Sequence, residues 1–347
     1  MQTFSMSASL FFRIKQNDKT LTCLNLSLQD FESQSYGSVD SWRKAVLDGQ
    51  VSKWAHALAN NTHIQEIDFN FTSCNGTLWD RHGLLLLLQA AGACSSLKKL
   101  VFHLRFDYEF LQCQSCMAKS IQVAENIQDL ELSLGSTLSG TDAGFEELVK
   151  AIQHHPKLES LKLTRRLQRG SDAIVTILDN SSIKKVSLAV GTEITISFIQ
   201  ALGTNASLET LEMAVPSNIH DDHLELLLME LTKALEKNQT LQNVSLVSIA
   251  VPYRDNGPGD LHISKESSKA LVSVLKNKYN LYALNVFGQH IAGVDFYTKL
   301  NRAGRKELLR TDIASSARDW VDILSTVPDD IACLYYFLQS NPSLCTE

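Results

Sequence analysis

One short pattern constrains this chain more than any other feature: apolar residues spaced φ-x-x-φ-x-φ, recurring nine times. The copies are Leu21/Leu24/Leu26, Ile64/Ile67/Phe69, Leu97/Leu100/Phe102, Ile127/Leu130/Leu132, Leu158/Leu161/Leu163, Ile183/Val186/Leu188, Leu208/Leu211/Met213, Leu241/Val244/Leu246 and Leu281/Leu284/Val286. The last two apolar positions of each copy are two residues apart, so they share one face of a strand. Each copy therefore predicts one short strand with one buried side. The strands are expected near residues 24, 67, 100, 130, 161, 186, 211, 244 and 284, neighbouring one another in that order.

Helical periodicity precedes the strands. Phe145, Leu148, Val149 and Ile152 fall at i, i+3, i+4 and i+7, which is one face of a helix. Leu224, Leu227, Leu228, Leu231 and Leu235 follow the same rule, as do Ala270, Leu271, Val274 and Leu275. A helix can lay its apolar stripe on the apolar face of its own strand. One such unit cannot bury a core alone, whereas stacked units can. The predicted fold class is therefore α/β, with a parallel sheet on one side of a solenoid and helices on the other.

A longer match ties helix to strand. Ala57-Leu58-x-x-Asn61-x-x-Ile64 recurs as Ala201-Leu202-x-x-Asn205-x-x-Leu208 and as Ala234-Leu235-x-x-Asn238-x-x-Leu241, and Asn180 stands three residues before Ile183. Asparagine tolerates the left-handed backbone that ends helices, and its amide bonds nearby main chain. These asparagines are expected at the turn from helix into strand. The first apolar positions from 64 to 281 are spaced 31 residues apart on average, with two intervals of only 25. Inserts are expected at 37–50, 71–82 and 250–263, the last carrying two prolines and two glycines.

These units resemble ribonuclease-inhibitor-like leucine-rich repeats, whose pattern continues L-x-x-L-x-L-x-x-N/C-x-L. The stretch Leu300-Asn-Arg-Ala-Gly-Arg305, with Trp320 and Asn341-Pro-Ser-Leu-Cys345, resembles the ends of the diatom-type members of this family. The resemblance implies a horseshoe with strands on the concave side and helices on the convex side. It departs from the family at the Asn/Cys after the strand, where Thr72, Arg105, Gly135, Arg166, Gly191, Pro216, Ile249 and Gln289 stand instead. A solenoid needs shielded ends, so residues 1–30 read as N-terminal cap and first strand, 31–290 as the repeat array and 291–347 as a helical C-terminal cap. Helices are expected at 295–310, 316–326 and 329–340, with Trp320, Tyr335, Tyr336 and Phe337 covering the end of the core.

Composition limits the functions. At 44% hydrophobic and 20% charged residues, the chain is globular. A net charge of −6 gives no basic footprint for nucleic acid. The segment Met1–Phe12 lacks a basic start and a small-residue cleavage site, so it predicts no signal peptide. No apolar run approaches the length of a membrane span. The seven scattered cysteines do not form a disulfide framework and fit a reducing, intracellular setting, the cytoplasm first and the nucleus as the alternative. Eight Asn-x-Ser/Thr sequons occur, and the repeat accounts for several of them.

Candidate chemistry is sparse. Cys113-Gln-Ser-Cys116 has the spacing of a zinc or redox pair, but no second such pair supplies further ligands. His220-Asp221-Asp222-His223 reads as a helix start with a capping carboxylate, and His154-His155 as a helix end where positive charge is favourable. Neither a dinucleotide-binding G-x-G-x-x-G nor a Walker A, G-x-S-x-G or H-E-x-x-H sequence occurs. The expectation is a non-enzyme without cofactor or metal.

What remains informative is the set of residues between the strand apolars, which alternation sends to the outer, concave face. They include Glu66, Asp68, Lys99, Asp129, Glu131, Lys162, Lys185 and Glu212. With neighbouring strands about 4.8 Å apart, Lys99 is expected between Glu66 and Asp129, and Lys162 between Glu131 and Lys185. Such a face either neutralises itself or docks a partner. The expected function is a protein-interaction scaffold, monomeric, with an unidentified protein partner and neither nucleic acid nor membrane. The alternative is a regulator of a small GTPase, because Ran GTPase-activating proteins share the repeat family; that alternative rests on fold analogy alone. If Cys113 and Cys116 serve packing only, a strong chelator should leave the thermal unfolding transition unshifted, and purified protein should carry no stoichiometric zinc.

Overall fold

The computed structural model describes residues 6–27, 49–71, 81–104, 110–134, 143–165, 172–189, 192–217, 219–249, 261–308, 324–328 and 330–340. The predicted inserts at 37–50, 71–82 and 250–263 fall largely outside these residues, as does Trp320. The chain forms two compact units, Met1–Phe198 and Ile199–Glu347.

The first unit begins with α1 (Met6–Lys15) and β1 (Cys23–Ser27). It continues with α2 (Gln50–Ala59), β2 (Glu66–Phe71), α3 (Arg81–Ala93), β3 (Lys99–Leu104), α4 (Phe110–Val123), β4 (Asp129–Leu134), α5 (Ala143–Gln153) and β5 (Ser160–Arg165). A 3-10 helix (Asp172–Asp179) then leads into β6 (Lys185–Ala189). The unit boundary falls within α6 (Thr192–Leu202). The second unit holds β7 (Thr210–Pro216), α7 (Asp221–Lys237), β8 (Asn243–Ile249), α8 (Lys265–Asn277) and β9 (Ala283–Val286). It ends with α9 (Ala292–Arg302), α10 (Arg305–Leu308) and α11 (Ile331–Ser340).

The strands are parallel and pair with their sequence neighbours: β1 through β6 in the first unit, β7 through β9 in the second. All nine predicted strand centres lie within the observed strands. The fold is an α/β leucine-rich-repeat solenoid. Each register step aligns equivalent repeat positions, so Ile67 meets Leu100, Leu100 meets Leu130, and Leu130 meets Leu161. These apolar columns are buried under the helices, as Ile67, Leu100, Leu161, Val186, Leu211 and Leu246 show at 0–1% exposure or less.

The 25-residue interval from Leu158 to Ile183 needs less chain in part because of its helix type. A 3-10 helix rises about 2.0 Å per residue, so the eight residues of Asp172–Asp179 span about 16 Å. The eleven-residue α5 spans about the same length at about 1.5 Å per residue. The tighter helix crosses the sheet with three residues fewer. Elsewhere the helices approach closely: a Cβ on Gly92 of α3 would lie 2.8 Å from the Ser120 carbonyl oxygen of α4.

The asparagines before the strands are the turn residues predicted for them, although Asn238 holds extended and not left-handed backbone, and they do more than turn the chain. Asn238 is buried; its Oδ1 accepts from the N–H groups of Thr240 (2.9 Å) and Leu241 (2.8 Å). Its Nδ2 donates to the carbonyls of Leu202 (2.7 Å) and Asn205 (2.8 Å), in the preceding helix-to-strand turn. Asn180 repeats this, donating to Ile152 (2.8 Å) and His155 (3.0 Å) while accepting from Ser182 N–H (2.9 Å). Asn61 accepts from His63 and Ile64 N–H, both at 2.9 Å, and donates to Ile14 (3.3 Å). One side chain thus shapes its own turn and satisfies helix-end carbonyls that the preceding helix leaves open.

The same position, three residues before the first apolar of the strand, holds other groups in other repeats. Cys94 donates its thiol to the Asn61 carbonyl (3.3 Å). His155 bonds the Ala124 carbonyl through Nε2 (2.9 Å). Lys278 is buried there, burial pushes its ammonium pKa down, and its Nζ has no hydrogen-bond partner among the described residues. The carbonyls of that turn are met from further along: Asn301 donates to Lys278 (2.7 Å) and Leu281 (2.9 Å). Arg305 donates to Leu275 (3.1 Å) and to Lys276, at the end of α8. Its guanidinium lies over the rings of Tyr279 (4.6 Å), Tyr297 (4.9 Å) and Tyr336 (5.4 Å).

Two expectations about terminal side chains need correction. Phe337 is fully buried with Leu300, Ala303, Val327 and Cys333, but Tyr335 faces solvent at 64% exposure, because it lies on the opposite side of α11. The cap of α7 is His220, with no side-chain capping bond; Asp221 and Asp222 occupy the first turn, where carboxylates favour the helix dipole without capping.

Two outcomes follow for stability. Leu211→Ala should cost about 2–5 kcal/mol through lost transfer energy and a cavity, while Glu212→Ala, exposed on the same strand, should stay within about 0.5 kcal/mol in denaturant melts. Asn238→Ala should cost about 2–4 kcal/mol, since four main-chain groups lose their partner; Asn238→Asp should fare no better, because it turns an acceptor toward two carbonyls.

Candidate functional site

The sheet face away from the helices carries the polar alternates of each strand. In the first unit two columns run across it in register. One holds Glu66, Lys99, Asp129, Ser160 and Lys185; the other holds Asp68, Val101, Glu131, Lys162 and Ser187. Lys99 therefore stands between Glu66 and Asp129, as alternation predicts. Lys162 does not stand between Glu131 and Lys185. It lies between Glu131 and Ser187, because Lys185 opens its strand and so belongs to the other column, beside Ser160.

Within these columns two lysines are paired with carboxylates. Lys99 Nζ donates to Glu66 Oε1 at 2.6 Å, and that bond raises the lysine's pKa. Lys162 Nζ lies 2.6 Å from Glu131 Oε1. Asp68 accepts from Asn25 Nδ2 (3.1 Å), and His103 Nε2 approaches its other oxygen at 3.9 Å. Burial pushes the Asp68 carboxyl pKa up, opposed by His103 and reinforced by Glu131. The lysines remain about half exposed, so the face presents charge to solvent while neutralising much of it internally.

The second unit has a different outer face. Among the described outward residues of β7–β9, Glu212 is the charged one and is exposed. Its neighbours are joined by neutral bonds, Asn243 Nδ2 to Thr210 Oγ1 (3.3 Å) and Asn285 Nδ2 to Ser245 Oγ (3.1 Å). Of the eight predicted site residues, seven share the face of the first unit and Glu212 lies in the second.

The other candidates take structural positions. Cys116 lies half-buried on α4 with a free thiol, whose pKa burial raises, so the reactive thiolate is disfavoured. The side chain of Cys113 lies outside the described residues. His155 is not a positive charge at a helix end: it is buried, desolvation pushes its pKa down, and both ring nitrogens serve the turn. Its neighbour His154 is exposed and bonds the Lys150 carbonyl (2.8 Å). Among the described residues no group of three metal-ligating side chains converges, and no helix is long and apolar enough to cross a membrane. The bridging roles of Cys94, His155 and Arg305 escape a search for asparagine, and Asn301 lies outside the spacing that links helix to strand; position relative to the strand apolars is the signal that finds the first two.

No protein-family model matches the chain, and no curated protein matches it. Among solved structures, the leiomodin-1 actin-binding site 2 is similar at a TM-score of 0.33 and 10% identity, over 57% of this chain and 92% of that one. The tropomodulin C-terminal domain of Caenorhabditis elegans is similar at 0.23 and 12%, over 67% and 95%. Likeness at this level says nothing of what this chain binds; the repeat stands on the chain's own strands and helices.

The ion pairs of the face should be weak. A double-mutant cycle of Glu66→Ala and Lys99→Ala should give a coupling of about 0.2–1 kcal/mol in low-salt denaturant melts, shrinking at about 1 M salt.

Proposed function

We propose that this chain is a non-catalytic scaffold that binds a partner protein on the helix-free face of the sheet. The observation that carries this reading is the in-register display of Glu66, Lys99, Asp129, Asp68, Glu131, Lys162 and Lys185 on consecutive strands. Their backbone is held by parallel pairing on one side of each strand and the next, and sites on rigid elements hold their geometry best. Charged groups at fixed spacing give a partner orientation and a faster encounter more than raw affinity.

In the ribonuclease-inhibitor-like reading this face is the concave side of a horseshoe, and residues 291–347 close its end. Asn301 and Arg305 support that closing role, since they answer the carbonyls of the last helix-to-strand turn. An intracellular, cytoplasmic setting accords with the free thiols at Cys23, Cys94, Cys116 and Cys333.

The test compares three immobilised baits in cell extract: the wild-type chain, Glu66→Lys/Glu131→Lys on the sheet face, and Met229→Lys on the exposed side of α7. A protein partner should be held by the wild type and by Met229→Lys. Its association with the sheet-face variant should slow by about tenfold or more at low salt and converge with wild type at high salt. Equal retention by all three baits at low salt, or loss only with Met229→Lys, would remove the sheet face from consideration.

A further inference from the structure

His155 stands where Asn61, Asn180 and Asn238 stand in their repeats, three residues before the strand's first apolar side chain. Those carboxamides have one fixed donor end and one fixed acceptor end at any ordinary pH. The imidazole provides the same pair only in one neutral tautomer. Nε2–H donates to the Ala124 carbonyl at 2.9 Å, and Nδ1 accepts from the Lys157 N–H at 3.3 Å. His155 is 3% exposed and its bond to the Ala124 carbonyl is buried, while the bond from the Lys157 N–H is part-buried.

We propose that His155 is an acid-sensitive joint of the repeat array: a proton taken up at Nδ1 turns the acceptor of the Lys157 N–H into a second donor and opens the turn between α5 and β5. No redox or covalent step is involved; the proton comes from solvent and sits on the ring. Two N–H groups then face each other across a bond that had held the turn, and an imidazolium is left in a buried site.

The groups around the ring set the balance. Lys157, on the same turn, opposes a second positive charge, while Glu125, on the preceding turn, favours it. Asn180, from the following turn, offers the ring no charge; its Nδ2 is spent on the His155 carbonyl. Asp179 at the end of the 3-10 helix is held by Gln153 (3.1 Å). Burial is the largest influence and keeps the ring neutral in the folded chain. With the folded pKa below the unfolded one, stability is complete above about pH 6.5 and declines as pH falls toward the folded pKa. The same turn leads into β5, so the strand that presents Lys162 is the one released.

The experiment uses the full chain and the variant His155→Asn, which restores the residue carried by the other repeats. NMR of the wild-type imidazole should show the Nε2–H tautomer at neutral pH and a pKa below 6.5. Protection of the Lys157 amide against hydrogen exchange should fall on acidification from pH 7.5 to 5 in the wild type and hold in His155→Asn. Over that range the wild type's unfolding constant should rise relative to the variant's, by about tenfold for each unit that the folded pKa lies below the unfolded one. An Nδ1–H tautomer, a pKa at or above 6.5, or the same loss of protection in both proteins would overturn the proposal. Should the variant fail to fold, the tautomer and pKa in the wild type decide it alone.

Discussion

The structure depends on how a chain gets from the end of a helix into a strand without leaving main-chain groups unanswered. A helix ends with carbonyls that have no partner inside it. In a stacked array these ends lie against the next repeat, where water is scarce and an unmet carbonyl costs about 1–3 kcal/mol. A carboxamide is suited to this place because it offers a donor pair and an acceptor on one short side chain. Asn238 uses both, accepting two N–H groups of its own turn and donating to two carbonyls of the preceding turn. Burial of leucine columns supplies the attraction between repeats, but burial has no direction. Where it occurs, the carboxamide adds a directional bond between neighbouring repeats.

Much of this was legible in the sequence, and the reason is periodicity. Leu211 and Met213 are buried and Glu212 exposed because a strand alternates, and no tertiary detail is needed to foresee it. Asn61, Asn180, Asn205 and Asn238 could be assigned to turns because they keep a fixed distance from the strand apolars. The Asn/Cys expected after the strand is missing, and the bridging that the described residues show occurs at the opposite end of the strand. The candidate face was legible as a set of residues and less so as a neighbourhood. Lys162 and Lys185 belong to different columns, since one is the third residue of its strand and the other the first. Side-chain burial on α11 was misread at Tyr335 because three consecutive aromatic residues cannot all face one side of a helix.

The sheet face gains its definition from the opposite side of the sheet. Surface ion pairs such as Lys99–Glu66 contribute little to stability, so they do not hold the strands in place. The strands are placed by the buried columns and the turns, and the charged side chains are carried along at strand spacing. This division leaves the outer residues free to vary without threatening the fold. It also explains why the two units can differ: β2–β5 carry paired charges, while β7–β9 join neutral Asn, Ser and Thr side chains across strands. A partner that reads charge would distinguish one from the other.

Where the carboxamide is replaced, the chemistry of the substitute decides what that repeat can do. Cys94 keeps a donor and gives up the strong acceptor; Ser96 Oγ adds a bond to the Ile64 carbonyl (2.7 Å). Ala124 keeps neither, and its own carbonyl becomes the acceptor for His155. Lys278 keeps no useful bond there, and the buried ammonium is opposed by desolvation. Its turn is met instead by Asn301 and Arg305, whose guanidinium carries more donors than a carboxamide and rests among three tyrosine rings. The Lys278 carbonyl still accepts from Asn301, as the Asn205 carbonyl accepts from Asn238, so the main-chain part of the bridge is kept where the side chain differs.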